Sequence, residues 1–363
     1  MLPSPYRSWC EISRSALRHN LRALAALTAA PEIMPIVKAN AYGHGMIESA
    51  RVFAASGASW LGCANVHEGV ALREAGITLP ILLLGGFLPG EIPAVIEHGL
   101  TLTLSSREEA RLVSAQARRR RKPLQVQVKI DTGMGRMGAP LSEAGALIRQ
   151  VWKENFLTLA GIFSHFACAD SDRAFTRQQW EKFQSIPSPA GIPRHICNSA
   201  GLLALPAAAG DIVRTGVAAY GISPLPRFQA LLRPALSWKT RLIHIRTVPR
   251  GTPISYGSTF HTPGKMKIGV AAAGYGDGIF RSLSNRGEVL IGGRRCRILG
   301  RVTMDQIVVD LSRMPSARKG DEVVLIGTQG GESILASEMA KKAGTICYEI
   351  WCHITPRVTR VYR

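Results

Sequence analysis

The sequence predicts an α/β fold in which an N-terminal (β/α)₈ barrel of the TIM type precedes a mostly β C-terminal domain. The first observation behind this prediction is that strand-like apolar runs and helix-like segments alternate up to Arg233. The second is a change of pattern after Arg233, where short strand-like runs follow one another between Gly, Pro and Asp residues. At 363 residues, the chain is long enough for one large barrel and a further module.

The predicted barrel strands are residues 33–38, 60–64, 81–84, 100–104, 124–130, 157–165, 194–197 and 211–214. Helix-like segments such as 66–75 and 171–184 lie between them, and the last connection, 199–209, is short. An open doubly wound sheet is the alternative arrangement. It is disfavoured because no Gly-x-Gly-x-x-Gly turn opens a helix in this chain.

The C-terminal part contains short predicted strands and one predicted helix, at 334–343. The strands are residues 242–248, 267–272, 288–291, 297–299, 307–311 and 322–326. We therefore expect a barrel domain over 11–232 and a β domain over 233–363, and we expect residues 1–10 to pack with the β domain.

The chain is strongly basic, with a formal net charge of +20. Its densest basic run, 118–122, closes a helix-like segment, where cations are favourable. No zinc-finger spacing, aromatic RNA-binding motif or basic zipper accompanies it. We therefore interpret the run as a solvated helix end and expect no nucleic-acid partner, while the overall charge favours an anionic ligand such as a phosphorylated cofactor.

Seven cysteines, an odd number, occur without a close pair of the metal-ligand type. This usage is typical of reduced cysteines in a cytoplasmic protein, so we expect neither disulfides nor a metal site. Charged residues interrupt the N-terminal region before a signal peptide could form, and no segment approaches the length of a membrane span. The sequence therefore predicts a cytoplasmic location and no membrane partner.

In a (β/α)₈ barrel the reactive groups lie at the carboxyl ends of the strands. Five polar residues stand at or just after predicted strand ends, and we expect them to converge on one face of the barrel. They are Lys38, Arg136, His165, Ser199 and Arg214. A lysine that is partly desolvated in such a place becomes a usable nucleophile or base.

The loops after the seventh and eighth barrel strands often bind phosphate through backbone N–H groups and hydroxyls. Ser199, Gly216 and Val217 occupy these loops. The sequence therefore predicts that a phosphorylated ligand binds beside the other polar residues of this face.

The stretch 38–45, which reads Lys-Ala-Asn-Ala-Tyr-Gly-His-Gly, resembles the pyridoxal-phosphate lysine motif of alanine racemases. Further segments resemble the same family, and they do so in family order across nearly the whole chain. They are 129–138, 164–167, 197–201, 213–217, 219–221, 254–257, 274–278, 300–306 and 348–350. Small departures, such as Gly276, Thr303 and Cys347, remove no catalytic group.

The resemblance implies roles for individual residues. Lys38 holds pyridoxal 5′-phosphate as a Schiff base and is one catalytic base, and Tyr256 of the partner subunit is the second base. Tyr42 and Tyr348 hydrogen-bond the phosphate. Two bases on opposite faces of the substrate then remove and return a proton, which is the requirement for racemisation.

Other implied roles concern the substrate and the cofactor ring. Arg136 contacts the substrate carboxylate and pairs with Lys129, a position that is often carbamylated in the family. Met304 lies near the substrate from the partner subunit. Arg214, at the end of the eighth strand, hydrogen-bonds the pyridine nitrogen, and it leaves this nitrogen without a proton because arginine stays protonated. His165 orients Arg214 and packs near the cofactor ring.

We therefore expect an alanine racemase that interconverts L-alanine and D-alanine, supplies D-alanine for peptidoglycan, and acts as a homodimer with composite active sites. A racemase of serine or of broader specificity is one alternative. Arg281 and Arg301, which match positions at the family's substrate entrance, favour a small substrate. A decarboxylase of the same architecture is a second alternative, although such enzymes place a carboxylate, not an arginine, against the ring nitrogen.

Overall fold

A computed structural model of the chain describes residues 6–30 and 32–363. The described residues form two compact units. The barrel unit contains Ala16–Ala41 and Met46–Arg233, and the β unit contains Tyr42–Gly45, Pro234–Arg363 and the described residues up to Ser15. Of residues 1–10, which we expect to pack with the β domain, residues 1–5 lie outside the described part of the chain.

Within the described residues, eight parallel strands form the barrel. They are Glu32–Pro35, Leu61–Cys63, Ile81–Leu83, Leu102–Leu104, Leu124–Lys129, Leu157–Phe163, Arg194–His195 and Ile212–Thr215. The first strand pairs with the eighth, so the sheet closes on itself. The remaining neighbours are joined by parallel ladders, by single bridges such as Ile36 with Gly62, and by the bond from Arg214 N to Cys197 O. The predicted barrel is confirmed.

The helices of the barrel unit lie between these strands or precede the first of them. They are Arg14–Ala25, Met46–Ala54, Val66–Glu74, Ile92–Glu97, Arg107–Arg119, Leu141–Lys153, Arg173–Gln184 and Ser199–Ala204. Polar side chains begin several of them. Asn65, Ser106 and Asp172 each accept a hydrogen bond from the backbone N–H of the third helical residue, so the sequence itself fixes where these helices start.

Several predicted strands extend too far at their carboxyl ends, three of them by two residues or more. The first strand ends at Pro35, before Lys38, the sixth ends at Phe163, before His165, and the seventh ends at His195, before Cys197. Apolar periodicity shows which residues face the core, but it does not show where backbone pairing stops. Lys38 and His165 therefore lie in loops beyond the strand ends.

The β unit is built on one sheet whose strands are antiparallel except for the terminal pair. In sheet order they are Glu332–Ile334, Glu322–Gln329, Glu288–Ile291, Arg294–Leu299, Ile307–Asp310, Met266–Ala271, Leu236–Val248, Ser8–Ile12 and Thr359–Tyr362. Strand Glu322–Gln329 pairs with both Glu288–Ile291 and Leu236–Val248, so the sheet closes into a second, smaller barrel. The predicted mostly β domain is confirmed.

The β unit also contains helices Ala336–Ala343 and Cys347–Cys352. The prediction of a single helical segment, at 334–343, is therefore wrong. The second helix has six residues, and no capping side chain marks its start, so the sequence carries no local signal for it. Among the described residues, no helix is both long and apolar enough to cross a membrane.

Candidate active site

The segment after Lys38 has an unusual backbone. Residues 39–42 adopt φ angles of 51°, 54°, 54° and 51°, in the left-handed helical region, although all four carry a Cβ. Each such residue costs about 1–2 kcal/mol relative to the right-handed conformation. Because four follow one another, surrounding contacts have to hold this turn. The turn defines the direction that the backbone takes after Lys38.

Lys38 is half-buried near a group of basic side chains in the barrel unit. Burial and then the charges of Arg214, Arg136 and Lys38 lower the pKa of Lys129 to about 8. Burial, followed by the charges of Arg214 and Lys129, also holds the pKa of His165 well below its ordinary value. The site is therefore strongly electropositive, which suits an anionic ligand.

Arg214 is almost completely buried at the end of the eighth strand. Its Nη2 donates to Ser164 O at 2.6 Å, to Ile196 O at 3.0 Å and to His165 Nδ1 at 3.1 Å. Its Nη1 donates to His195 Nδ1 and, at 3.3 Å, to His195 O. Within the described chain all these bonds use the two terminal nitrogens, so Nε–H is the donor that remains for a ligand.

Burial lowers the pKa of Arg214 to about 10, so the guanidinium remains protonated near neutral pH. A protonated arginine has no acceptor and cannot pass a proton to a ring nitrogen that it contacts. The contact of Arg214 with the neutral His165 places this imidazole where it can orient the guanidinium.

His195 and Gln127 are site residues that the sequence analysis missed. His195 is fully buried, and its Nε2 lies 2.8 Å from Gln127 Oε1. Because Gln127 Oε1 is an acceptor, Nε2 carries the proton and Nδ1 accepts from Arg214. The imidazole ring of His195 also stacks on the Phe163 ring, and the two ring centroids lie 5.0 Å apart. The sequence did offer one signal, because Gln127 is a polar residue between two apolar residues of the barrel strand Leu124–Lys129.

Ser199 joins the loops after the seventh and eighth strands. Its Oγ accepts from Gly216 N at 2.9 Å and from Ala218 N at 3.4 Å. Its hydroxyl proton is therefore free to be donated to a ligand. Gly216 and Val217 lie at the start of the 3₁₀ turn Val217–Tyr220, so the three residues predicted to bind phosphate lie together.

Arg136 is exposed in the loop after the fifth strand. Asp131 orders this loop, since its carboxylate accepts from Gly133 N and Met134 N at 2.8 Å and from Gly135 N at 2.9 Å. The sequence analysis named this loop but not the role of Asp131. An aspartate followed by a Gly-rich segment is the signal for such a turn.

The β unit holds the remaining predicted site residues. The rings of Tyr42 and Tyr348 lie 5.8 Å apart. Burial raises the pKa of Tyr42, so its hydroxyl stays protonated and able to donate. Elsewhere in the unit Tyr256 and Met304 are exposed, Tyr256 with 73% of its surface accessible. Tyr256 lines a cavity of about 300 Å³ together with Ser255, Thr303, Gln306 and Val308.

The backbone next to Tyr256 is fixed by its neighbours. Ser255 has φ of 62°, and its Oγ donates to Arg301 O at 2.7 Å. Gly257 has φ of 71°, and a Cβ there would lie 3.1 Å from the Arg301 guanidinium carbon. Arg301 therefore lies beside Tyr256, whereas Arg281 lies in a separate 3₁₀ turn, Arg281–Leu283.

Comparison with known proteins identifies the family. A model of the alanine racemase N-terminal domain matches residues 12–224, and a model of the C-terminal domain matches residues 235–362. The chain belongs to the alanine racemase family. The alanine racemase of Symbiobacterium thermophilum is 44% identical over 98% of this chain and 97% of its own length.

Solved alanine racemases share the fold over essentially the full chain. The enzyme from D-cycloserine producing Streptomyces lavendulae has a TM-score of 0.92 at 37% identity, covering 99% of this chain and 98% of its own. The enzyme from Bartonella henselae, solved with covalently bound pyridoxal phosphate, has a TM-score of 0.91 at 26% identity, covering 99% and 100%. The predicted family, fold class and alanine racemase function are confirmed.

Proposed function

We propose that this alanine racemase works with pyridoxal 5′-phosphate, and that Lys38 and Tyr256 of the partner subunit are its two bases. The observation that carries this proposal is the buried Arg214, whose remaining donor is Nε–H. Such a group can hydrogen-bond a ring nitrogen but keeps it unprotonated, which suits proton transfer at Cα rather than a longer-lived carbanion and its side reactions. This observation also favours a racemase over the decarboxylase alternative.

The residues present fit the cofactor. Ser199 retains a hydroxyl proton for a phosphate oxygen, Gly216 and Val217 lie beside it, and the surrounding charge is positive. In the β unit, Tyr42 and Tyr348 lie together, and Tyr42 keeps its proton. Bound pyridoxal phosphate would weaken the Cα–H bond of an attached amino acid by drawing electrons from it.

Each of the protein's site residues would then have a separate role in the reaction. Lys38 holds the cofactor and serves one face of the substrate Cα, while Tyr256 serves the opposite face. Arg136, on the loop ordered by Asp131, binds the substrate carboxylate. His165 and His195, both neutral, hold Arg214 in place without adding charge.

We further propose a homodimer in which each site takes Tyr256 and Met304 from the partner subunit. What supports this is that both side chains are exposed on the β unit, where Tyr256 and Thr303, the residue before Met304, line one cavity, because a contiguous exposed apolar surface often marks an interaction site. We also propose that the enzyme works in the cytoplasm and that its D-alanine enters peptidoglycan. Both assignments rest on family membership.

A chiral assay over a panel of amino acids, with pyridoxal phosphate present, tests the proposal. We expect L-alanine and D-alanine to interconvert, serine to react more slowly, and no carbon dioxide to be released. Borohydride should fix the cofactor to Lys38, and Lys38→Ala should lose both the label and the visible absorbance. A label on another lysine, or release of carbon dioxide from the panel, would refute the assignment.

A further inference from the structure

The left-handed turn after Lys38 needs contacts that hold it, and two of these are local. Ala41 N donates to Val37 O at 2.8 Å, and Met46 N donates to Asn40 Oδ1 at 2.9 Å. Both bonds close the loop on itself. They do not tie it to the rest of the barrel mouth.

A third contact comes from a different βα unit. The carboxylate of Glu68 accepts from Ala39 N through Oε1 and from Ala64 N through Oε2, both at 2.7 Å. The backbone N–H of Glu68 donates to Asn65 Oδ1 at 3.0 Å, which fixes Glu68 in the first turn of helix Val66–Glu74. One carboxylate therefore joins the loop after the first strand to the loop after the second.

Glu109 provides a comparison within the same barrel. It takes the equivalent place in helix Arg107–Arg119, where its N–H donates to Ser106 Oγ at 3.1 Å and its Oε2 accepts from Ser105 N at 2.6 Å. In the described part of the chain Glu109 makes no bond to a neighbouring loop. Helix capping therefore accounts for one oxygen of Glu68, and the bond to Ala39 is additional.

We propose that Glu68 is a positioning residue for Lys38. The N–H of Ala39 belongs to the peptide group that starts at the Lys38 carbonyl, so the bond from this N–H fixes the backbone from which the lysine side chain extends. A charged acceptor makes this bond stronger than a neutral one would. The inference rests on the role of Lys38 in the proposed function.

The test compares Glu68→Gln with the matched control Glu109→Gln. Glutamine keeps one carbonyl oxygen but replaces the other with a donor, so one of the two N–H groups bound by Glu68 loses its acceptor. We expect Glu68→Gln to lower kcat about tenfold to a hundredfold with a small change in KM, and Glu109→Gln to lower it less than about twofold.

The deuterium isotope effect separates positioning from general damage. Because Lys38 serves one face of Cα, the primary effect with 2-deuterated alanine should rise in Glu68→Gln for one enantiomer only. The backbone amide of Ala39 gives a further readout, and its wild-type measurement does not depend on a variant folding. In wild-type holoenzyme it should exchange with solvent slowly although Ala39 is exposed, and about tenfold faster or more in Glu68→Gln.

Equal losses in the two variants, unchanged isotope effects, or an unprotected Ala39 amide in wild type would each overturn the role of Glu68. Borohydride reduction of the wild-type holoenzyme distinguishes this failure from failure of the proposed function. An unlabelled Lys38 rejects the proposed function. A labelled Lys38, with Glu68→Gln and Glu109→Gln indistinguishable, rejects only the positioning role.

Discussion

At the scale of single residues, Arg214 is a buried cation held by carbonyl oxygens and neutral imidazoles. Its partners are Ser164 O, Ile196 O and the rings of His165 and His195. A charge that is buried in this way depends on every one of its hydrogen bonds, because an unpaired buried charge is costly. The same charge, together with burial, keeps both imidazoles neutral.

Because of these two histidines, we expect the free energy of unfolding to depend on pH. Their pKa values in the folded protein lie well below the ordinary value of 6.5. As the pH falls below 6.5, the unfolded chain takes up protons that the folded chain does not, so the free energy of unfolding decreases. Each histidine should contribute up to about 1.4 kcal/mol per pH unit.

Urea denaturation between pH 7.5 and pH 5 measures this slope. His195→Gln should remove one histidine's share of it below pH 6.5 and leave the slope between pH 7.5 and pH 6.5 unchanged. A variant that keeps the full slope at low pH would mean that His195 is protonated in the folded protein, contrary to its bond from Arg214.

At the scale of elements, glycines allow loops of the β unit to approach each other closely. Tyr275 N donates to Thr303 O at 2.9 Å, and Gly276 N donates to Met304 O at 2.8 Å. A Cβ on Gly274 would lie 2.2 Å from Thr303 O and 2.4 Å from Met304 O, closer than real contacts allow. This glycine therefore permits the contact that places Met304 on the surface.

We expect Gly274→Ala to lower the free energy of unfolding by about 1–3 kcal/mol, because the two loops must separate. Gly264→Ala is the matched control, since a Cβ there meets open space, and its effect should stay within about 0.5 kcal/mol. Chemical denaturation of both variants measures the difference. Equal effects would show that the 303–304 loop can move aside without cost.

At the scale of the whole molecule, the proposed dimer makes a quantitative prediction. If each site combines Lys38 of one subunit with Tyr256 of the other, a mixed dimer of Lys38→Ala and Tyr256→Phe chains has one site with both substitutions and one with neither. Random reassortment gives about half mixed dimers, so activity should recover to roughly a quarter of wild type.

The control mixes Lys38→Ala with the double variant Lys38→Ala/Tyr256→Phe, which cannot form an intact site in any arrangement. Subunit exchange is verified separately, for example by native mass spectrometry of chains with different tags. If exchange occurs and activity stays at the level of the control, the shared site is wrong.

The sequence by itself determined the family, the fold class and the order of the barrel strands. Eight apolar runs predicted the barrel strands because the residue types in a strand show which of its positions are buried. Asn65 and Ser106 cap helix starts in the structure, and such a cap is local because it joins residues three positions apart. The strand-end positions of Arg136, Ser199 and Arg214 followed from the same pattern.

The tertiary structure decided how these residues are held. The bond from Ala39 N to Glu68 joins segments that are far apart in sequence, and so do the bonds that link Arg214, His195 and Gln127. The left-handed turn at 39–42 depends on such contacts. The pairing of strand Ser8–Ile12 with strand Leu236–Val248 likewise joins two segments that are far apart in sequence. Local patterns report which face of an element is buried, but the partner of a polar group is chosen by which segments the fold brings within about 3 Å of it.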